Sequence, residues 1–129
     1  MTASRLLPAA AAIEAIIGVA LMIRPQAVAS LLLGAELDGA GIAVARVAGI
    51  ALLSLAVVCW MSRLDADMTA ALTAMLTYNV LVTAFLMYLG FGGELVGILL
   101  WPVIALHAVL SLLFAYEWFN DQRTKATTR

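Results

Sequence analysis

Residues 11–25, AAIEAIIGVALMIRP, place one carboxylate, Glu14, at the middle of an otherwise apolar run. The run begins near Leu6 and stops at Arg24-Pro25, where proline removes a backbone donor and clashes with the preceding turn. A helix needs ~20 mostly apolar residues to cross a hydrocarbon core, with a range of about 17–25, and this run qualifies. An unpaired charge at the bilayer centre costs at least about 2.5–3.5 kcal/mol. Glu14 must therefore hold a proton or meet a cation, and any partner has to come from the rest of the chain.

The composition agrees with a membrane setting. Of the 129 residues, 65% are hydrophobic and 12% charged, and the mean hydropathy is +1.08. A soluble domain is about 45–50% apolar and about 25% charged, so this chain has too little polar surface to coat a water-soluble globule. A net charge of −1 points to no nucleic-acid partner. The single cysteine, Cys59, excludes an intramolecular disulfide and reads as a small buried hydrophobe. One cysteine and one histidine do not make a four-ligand zinc site, and no metal is expected. Arg5, the apolar run and AVAS (27–30) imitate a cleaved leader. The run is longer than a usual leader core, carries Glu14 and is cut off from AVAS by Arg24-Pro25, so it is read as a retained first span.

Four stretches are long enough to span: about Leu6–Ile23, Gly41–Met61, Met68–Gly90 and Leu95–Phe119. The turns SRLDAD (62–67) and GFGGEL (90–95) are tight, so consecutive spans should be antiparallel neighbours. PQAVASLLLG (25–34) is too short to span. Its Pro25 suits a helix start and Gly34 a helix end, and it reads as a short interfacial helix with Leu31, Leu32 and Leu33 facing lipid or protein. Asp38 and Asp67 stand where acidic N-caps are expected. The expected fold is all-α: an antiparallel four-helix transmembrane bundle forming a single domain over residues 1–129, with a polar cytoplasmic tail at 120–129. Arg5, Arg63, Arg123, Lys125 and Arg129 fall on one side and Arg24 on the other, which predicts cytoplasmic termini. Trp60, Tyr116 and Trp118 mark the inner boundary, Tyr88 and Phe91 the outer one. Gly41, Ala45 and Gly49, and Ala10 and Gly18 around Glu14, are small-residue stripes that let helices approach closely.

Each span carries one strong hydrogen-bonding side chain. Glu14, Asn79 and His107 lie at the midpoints of spans 1, 3 and 4. Arg46, on span 2, is displaced outward by about 7–8 Å, within reach of its own length. A guanidinium binds a carboxylate through two parallel hydrogen bonds, so a Glu14–Arg46 ion pair is the expected clasp. Tyr78, beside Asn79, and Ser111, one turn after His107, complete a candidate ligand or proton site. Pro102 predicts a kink in the fourth span that frees a carbonyl near Ile98.

No cofactor is expected: a four-helix b-type haem site commonly uses two histidines, and the chain has one. No nucleotide-binding, nucleophilic or multi-carboxylate motif occurs, so no catalytic residue is assigned. AAIEAIIGVALMI (11–23) resembles the first helix of the small multidrug resistance transporters, a likeness that implies a proton- and solute-binding role for Glu14. The family's third-helix tryptophan-glycine signature is not found in the middle of TAMLTYNVLVTAFLMYLG (73–90). Over about 115 residues, the first helix ending in RP, the short helix ending LLLG and the span RVAGIALLSLAVVCW (46–60) resemble small bacterial four-helix membrane proteins of DoxX-like layout. That resemblance implies a bundle in the bacterial inner membrane. Three functions are compatible. The first is an accessory or binding protein whose midplane cluster holds a small amphipathic ligand. The others are a proton-coupled exporter of small solutes using Glu14, and a quinone-linked redox subunit with His107 or Tyr78 at a quinone carbonyl. Partners are the lipid bilayer and a homodimer or larger membrane complex.

Overall fold

A computed structural model describes residues 3–65 and 67–127, and all regular structure in them is helical. Helices α1 (Ala3–Ile23), α3 (Gly39–Ser62), α4 (Thr69–Gly92) and α5 (Leu100–Thr127) are each long and apolar enough to cross a membrane. The protein is thus a multi-pass membrane protein. The fifth helix, α2 (Pro25–Leu33), has nine residues and is too short to span. Arg129, which entered the charge count above, lies outside the described residues.

The helix ends follow from local chemistry. α1 stops at Arg24, and Pro25 opens α2 at a position that needs no donor. Gly34 closes α2 in the left-handed region (φ 68°) and donates to the Ser30 carbonyl at 3.0 Å. Both ends of the Gln26 side-chain amide bind the backbone of Leu37, at 2.8 Å each, and fold the linker back onto α2. Asp38 caps α3, accepting from Gly41 N at 2.6 Å. Asp67 accepts from Thr69 N at 3.0 Å, one residue ahead of the N-cap Met68. Gly93, with φ 76°, ends α4.

Both ends of the last helix and one kink differ from the sequence reading, and α5 continues past Phe119 to Thr127. α5 begins at Leu100 rather than Leu95, so Pro102 falls in its first turn, where its missing N–H breaks no helical hydrogen bond. The five residues before α5 form a turn fastened to α2. Gly97 N donates to the Leu32 carbonyl at 3.0 Å and Leu99 N to the Leu31 carbonyl at 2.9 Å. Those bonds satisfy two carbonyls that the end of α2 would otherwise leave unpaired. A Cβ at Gly97 would stand 2.2 Å from the Leu31 oxygen, so only glycine fits there.

Packing is heaviest between α1 and α3 and between α4 and α5. At the first contact, a Cβ on Gly18 would stand 2.8 Å from the Gly49 oxygen, and one on Gly49 would stand 2.6 Å from the Gly18 oxygen. The two backbones touch. Below this level, Leu6, Leu7 and Ala11 of α1 pack with Ala56 and Cys59 of α3, Leu72 and Met75 of α4, and Leu110 and Phe114 of α5. A second cluster, Leu86, Leu100 and Ile104, lies nearer α2 and takes Leu32 against it. Other apolar side chains, Val44, Val47, Ile50 and Leu112 among them, are exposed, as lipid contact requires. At the far ends, Ala3 N donates to Glu117 at 3.1 Å, and Lys125 bridges Asp67 (2.6 Å) and Asp121 (2.8 Å).

Two outcomes follow. Gly18→Leu or Gly49→Leu should lower stability by about 1–3 kcal/mol, read by detergent unfolding. Gly92→Ala, where a Cβ meets nothing within 4 Å, should change it little. The second concerns Asp67, whose carboxyl Lys125, and then two bonds from Thr69, hold well below the usual carboxylate range. A depressed carboxylate contributes at pH above its unfolded value and loses that contribution as pH falls through its folded value. Carboxyl NMR should therefore find Asp67 ionised well below pH ~3.9, the ordinary aspartate value, and Lys125→Gln should move its midpoint back up. Because Asp67 is solvent-exposed, the contact should also weaken with salt.

Candidate functional site

Glu14, Asn79 and His107 lie on the inward stripes of their helices, between the two apolar clusters. On α1 the buried positions run Leu7, Ala11, Glu14 and Gly18; on α4, Leu72, Met75, Asn79 and Leu86; on α5, Leu100, Ile104, His107 and Phe114. Steps of three, four and seven keep these residues on one helical face. Each polar residue therefore occupies a core position, and Glu14 and Asn79 are wholly buried.

Helices α4 and α5 join through a chain of hydrogen bonds. Asn79 Nδ2 donates to the Met75 carbonyl at 2.8 Å, and Asn79 Oδ1 lies 2.8 Å from His107 Nδ1. A carbonyl only accepts, so the amide nitrogen faces Met75 and the amide oxygen faces the ring. His107 Nδ1–H is therefore the donor. The hydroxyl of Tyr78 turns the other way and donates to Glu14 Oε2 at 3.2 Å, linking α4 to α1. The rings of Tyr78 and His107 meet edge to face, with centroids 5.8 Å apart. Thr83 Oγ1 donates to the Asn79 carbonyl at 2.7 Å, and Ser111 Oγ to the His107 carbonyl at 2.8 Å. Ser111 thus bonds back to its own helix rather than joining the side-chain chain.

The expected Glu14–Arg46 ion pair is not formed. Arg46 is exposed, makes no ion pair among the described residues, and lines a groove with Ile23, Arg24, Pro25 and Ile42. The Gly18–Gly49 contact sets this placement. It puts Arg46 level with the last turn of α1, about 10–13 Å along the axis from Glu14. Glu14 instead meets α4. Its second oxygen, Oε1, is fully buried and has no hydrogen-bond partner, the only such side-chain atom among the described residues.

Beside this cluster lies a cavity of about 330 Å³. Its wall is apolar, with Ile17 and Leu21 from α1, Leu31 from α2, Leu86 from α4 and Val103 from α5. Tyr78 and His107 are the polar side chains that reach it. Of the polar residues singled out in the sequence, Glu14, Tyr78, Asn79 and His107 come together, while Arg46 and Ser111 stay outside their hydrogen-bonded chain. A cavity-lining leucine and a lipid-facing leucine look alike in one sequence.

The Tyr78–Glu14 bond can be weighed by a double-mutant cycle. Tyr78→Phe and Glu14→Leu should each destabilise the protein. The double variant should cost less than the sum, with a coupling of about 0.5–1.5 kcal/mol in mixed-micelle unfolding.

Compared with protein-family models, curated proteins and solved structures, the chain matches none.

Proposed function

We propose that the protein is a non-enzymatic binding or accessory protein that holds a small lipid-soluble molecule within the membrane, in the cavity lined by all five helices. The observation that carries this reading is the apolar cavity with Tyr78 and His107 at its wall. Ligand sites combine mostly apolar linings of about 300–1,000 Å³ with a few placed polar groups, and this cavity has both features.

The reading includes an antiparallel bundle. Its support is the order of contacts. Ala11 shares a groove with Trp60, Gly18 meets Gly49, and Ile23 shares a groove with Ile42. Likewise Thr73 meets Trp118, Asn79 meets His107, and Phe91 meets Trp101. In this arrangement α2 lies in the outer interface. Arg5, Arg63, Arg123 and Lys125 then share the cytoplasmic side with both termini, opposite Arg24 and Arg46. A bacterial inner membrane is proposed on the DoxX-like layout of the sequence.

A second reading, the proton-coupled exporter, draws on the unpartnered Oε1 of Glu14, which Tyr78 connects to the cavity wall. Native mass spectrometry of protein released from membranes in mild detergent separates the two. A retained small molecule, lost when Val103→Phe fills the cavity, supports the binding protein. A bare protein that releases protons when small hydrophobic solutes are added, and ceases to do so in Glu14→Gln, supports the exporter.

A further inference from the structure

We infer that the cavity selects an uncharged apolar molecule carrying a hydroxyl, which donates its proton to His107 Nε2, over the same molecule with an ether or carbonyl there. The inference rests on the binding reading above and names the class of ligand.

The direction of the hydrogen bonds carries it. Met75 O can only accept, which turns Asn79 Oδ1 toward the ring and makes His107 Nδ1–H the donor. The uncharged ring is left with a lone pair on Nε2. That nitrogen makes no hydrogen bond among the described residues, yet it is not sealed in, because Glu14 Oε1 is the only fully buried, unpartnered side-chain atom there. Since the ring lines the cavity, Nε2 opens onto it. Tyr78 gives its proton to Glu14 Oε2, so the phenol oxygen also presents lone pairs. The backbone oxygens of Leu31 and Leu32 accept from Leu99 and Gly97.

The polar side chains at the wall therefore offer acceptors and no free proton. A ligand with only acceptors sets lone pair against lone pair within a mostly apolar lining. An oxidised quinone head is of that kind. An ammonium group would be a donor, but no carboxylate lines the cavity to offset its desolvation. A neutral alcohol or phenol on an apolar body meets both conditions.

The chain has a single histidine, so ¹⁵N-histidine labelling reports on His107 alone. The full-length protein in lipid nanodiscs would be titrated with 4-octylphenol and with 4-octylanisole, in which a methyl group replaces the phenolic proton. Methyl resonances of Leu86 and Val103 serve as an independent sign of occupancy. The expected result is that the phenol shifts the Nε2 resonance upfield and binds about tenfold more tightly than the anisole, the worth of one hydrogen bond. Val103→Phe should abolish that shift. Equal affinity for both probes with an unmoved Nε2 overturns the donor selection and leaves the binding reading standing. An Nε2 shift that survives Val103→Phe places the contact outside the cavity and also overturns it. Methyl resonances unmoved by either probe overturn both.

Discussion

Gly18 and Gly49 bring α1 and α3 together until backbone meets backbone, and much of the architecture is a consequence. In lipid, helices gain little from hiding apolar side chains, so close approach and dispersion contacts decide which helices pair. The glycine contact fixes which α1 residues face α3. It leaves the Glu14 carboxylate to α4 and carries Arg46 beyond reach. The polar link from α1 instead runs to α4, through the Tyr78 hydroxyl, beside the apolar packing of Leu6 and Leu7 with Leu72 and Met75.

The polar layer is built from bonds that each depend on the one before it. Met75 orients Asn79, Asn79 orients His107, and His107 shows its remaining nitrogen to the cavity. A layer of this kind adds less to stability than a packed apolar layer of the same volume, but it defines which face of each helix turns inward. Apolar clusters flank it on either side, around Phe114 and around Leu100. Rigidity of the imidazole is thus a property of its neighbours, not of the ring itself.

Much of this was written in the sequence, and the gaps have physical causes. Spans, caps and turns are local, so Pro25, Gly34 and Asp38 mark their boundaries directly. α5 starts later than composition implies because residues 95–99 are apolar enough to continue a span, while two hydrogen bonds to α2 hold them as a turn. Glu14 meets Tyr78 rather than Arg46 because partner choice depends on register and rotation between helices, which charge and depth alone do not specify. Asn79 and His107 share their stripes with Met75 and Ile104, but these spans are apolar on every side, so the sequence does not mark that stripe as the inward one.

The bond between Glu14 and Tyr78 joins residues 64 positions apart, and this separation bears on how the protein is made. Chains are synthesised at about 5–20 residues per second, so roughly 3–13 s pass between the two residues leaving the ribosome. Throughout that interval α1 resides in or beside the bilayer with its carboxyl group unsupported. The uninterrupted apolar sequence on both sides of Glu14 is what lets this helix be delivered to the membrane before its partner exists.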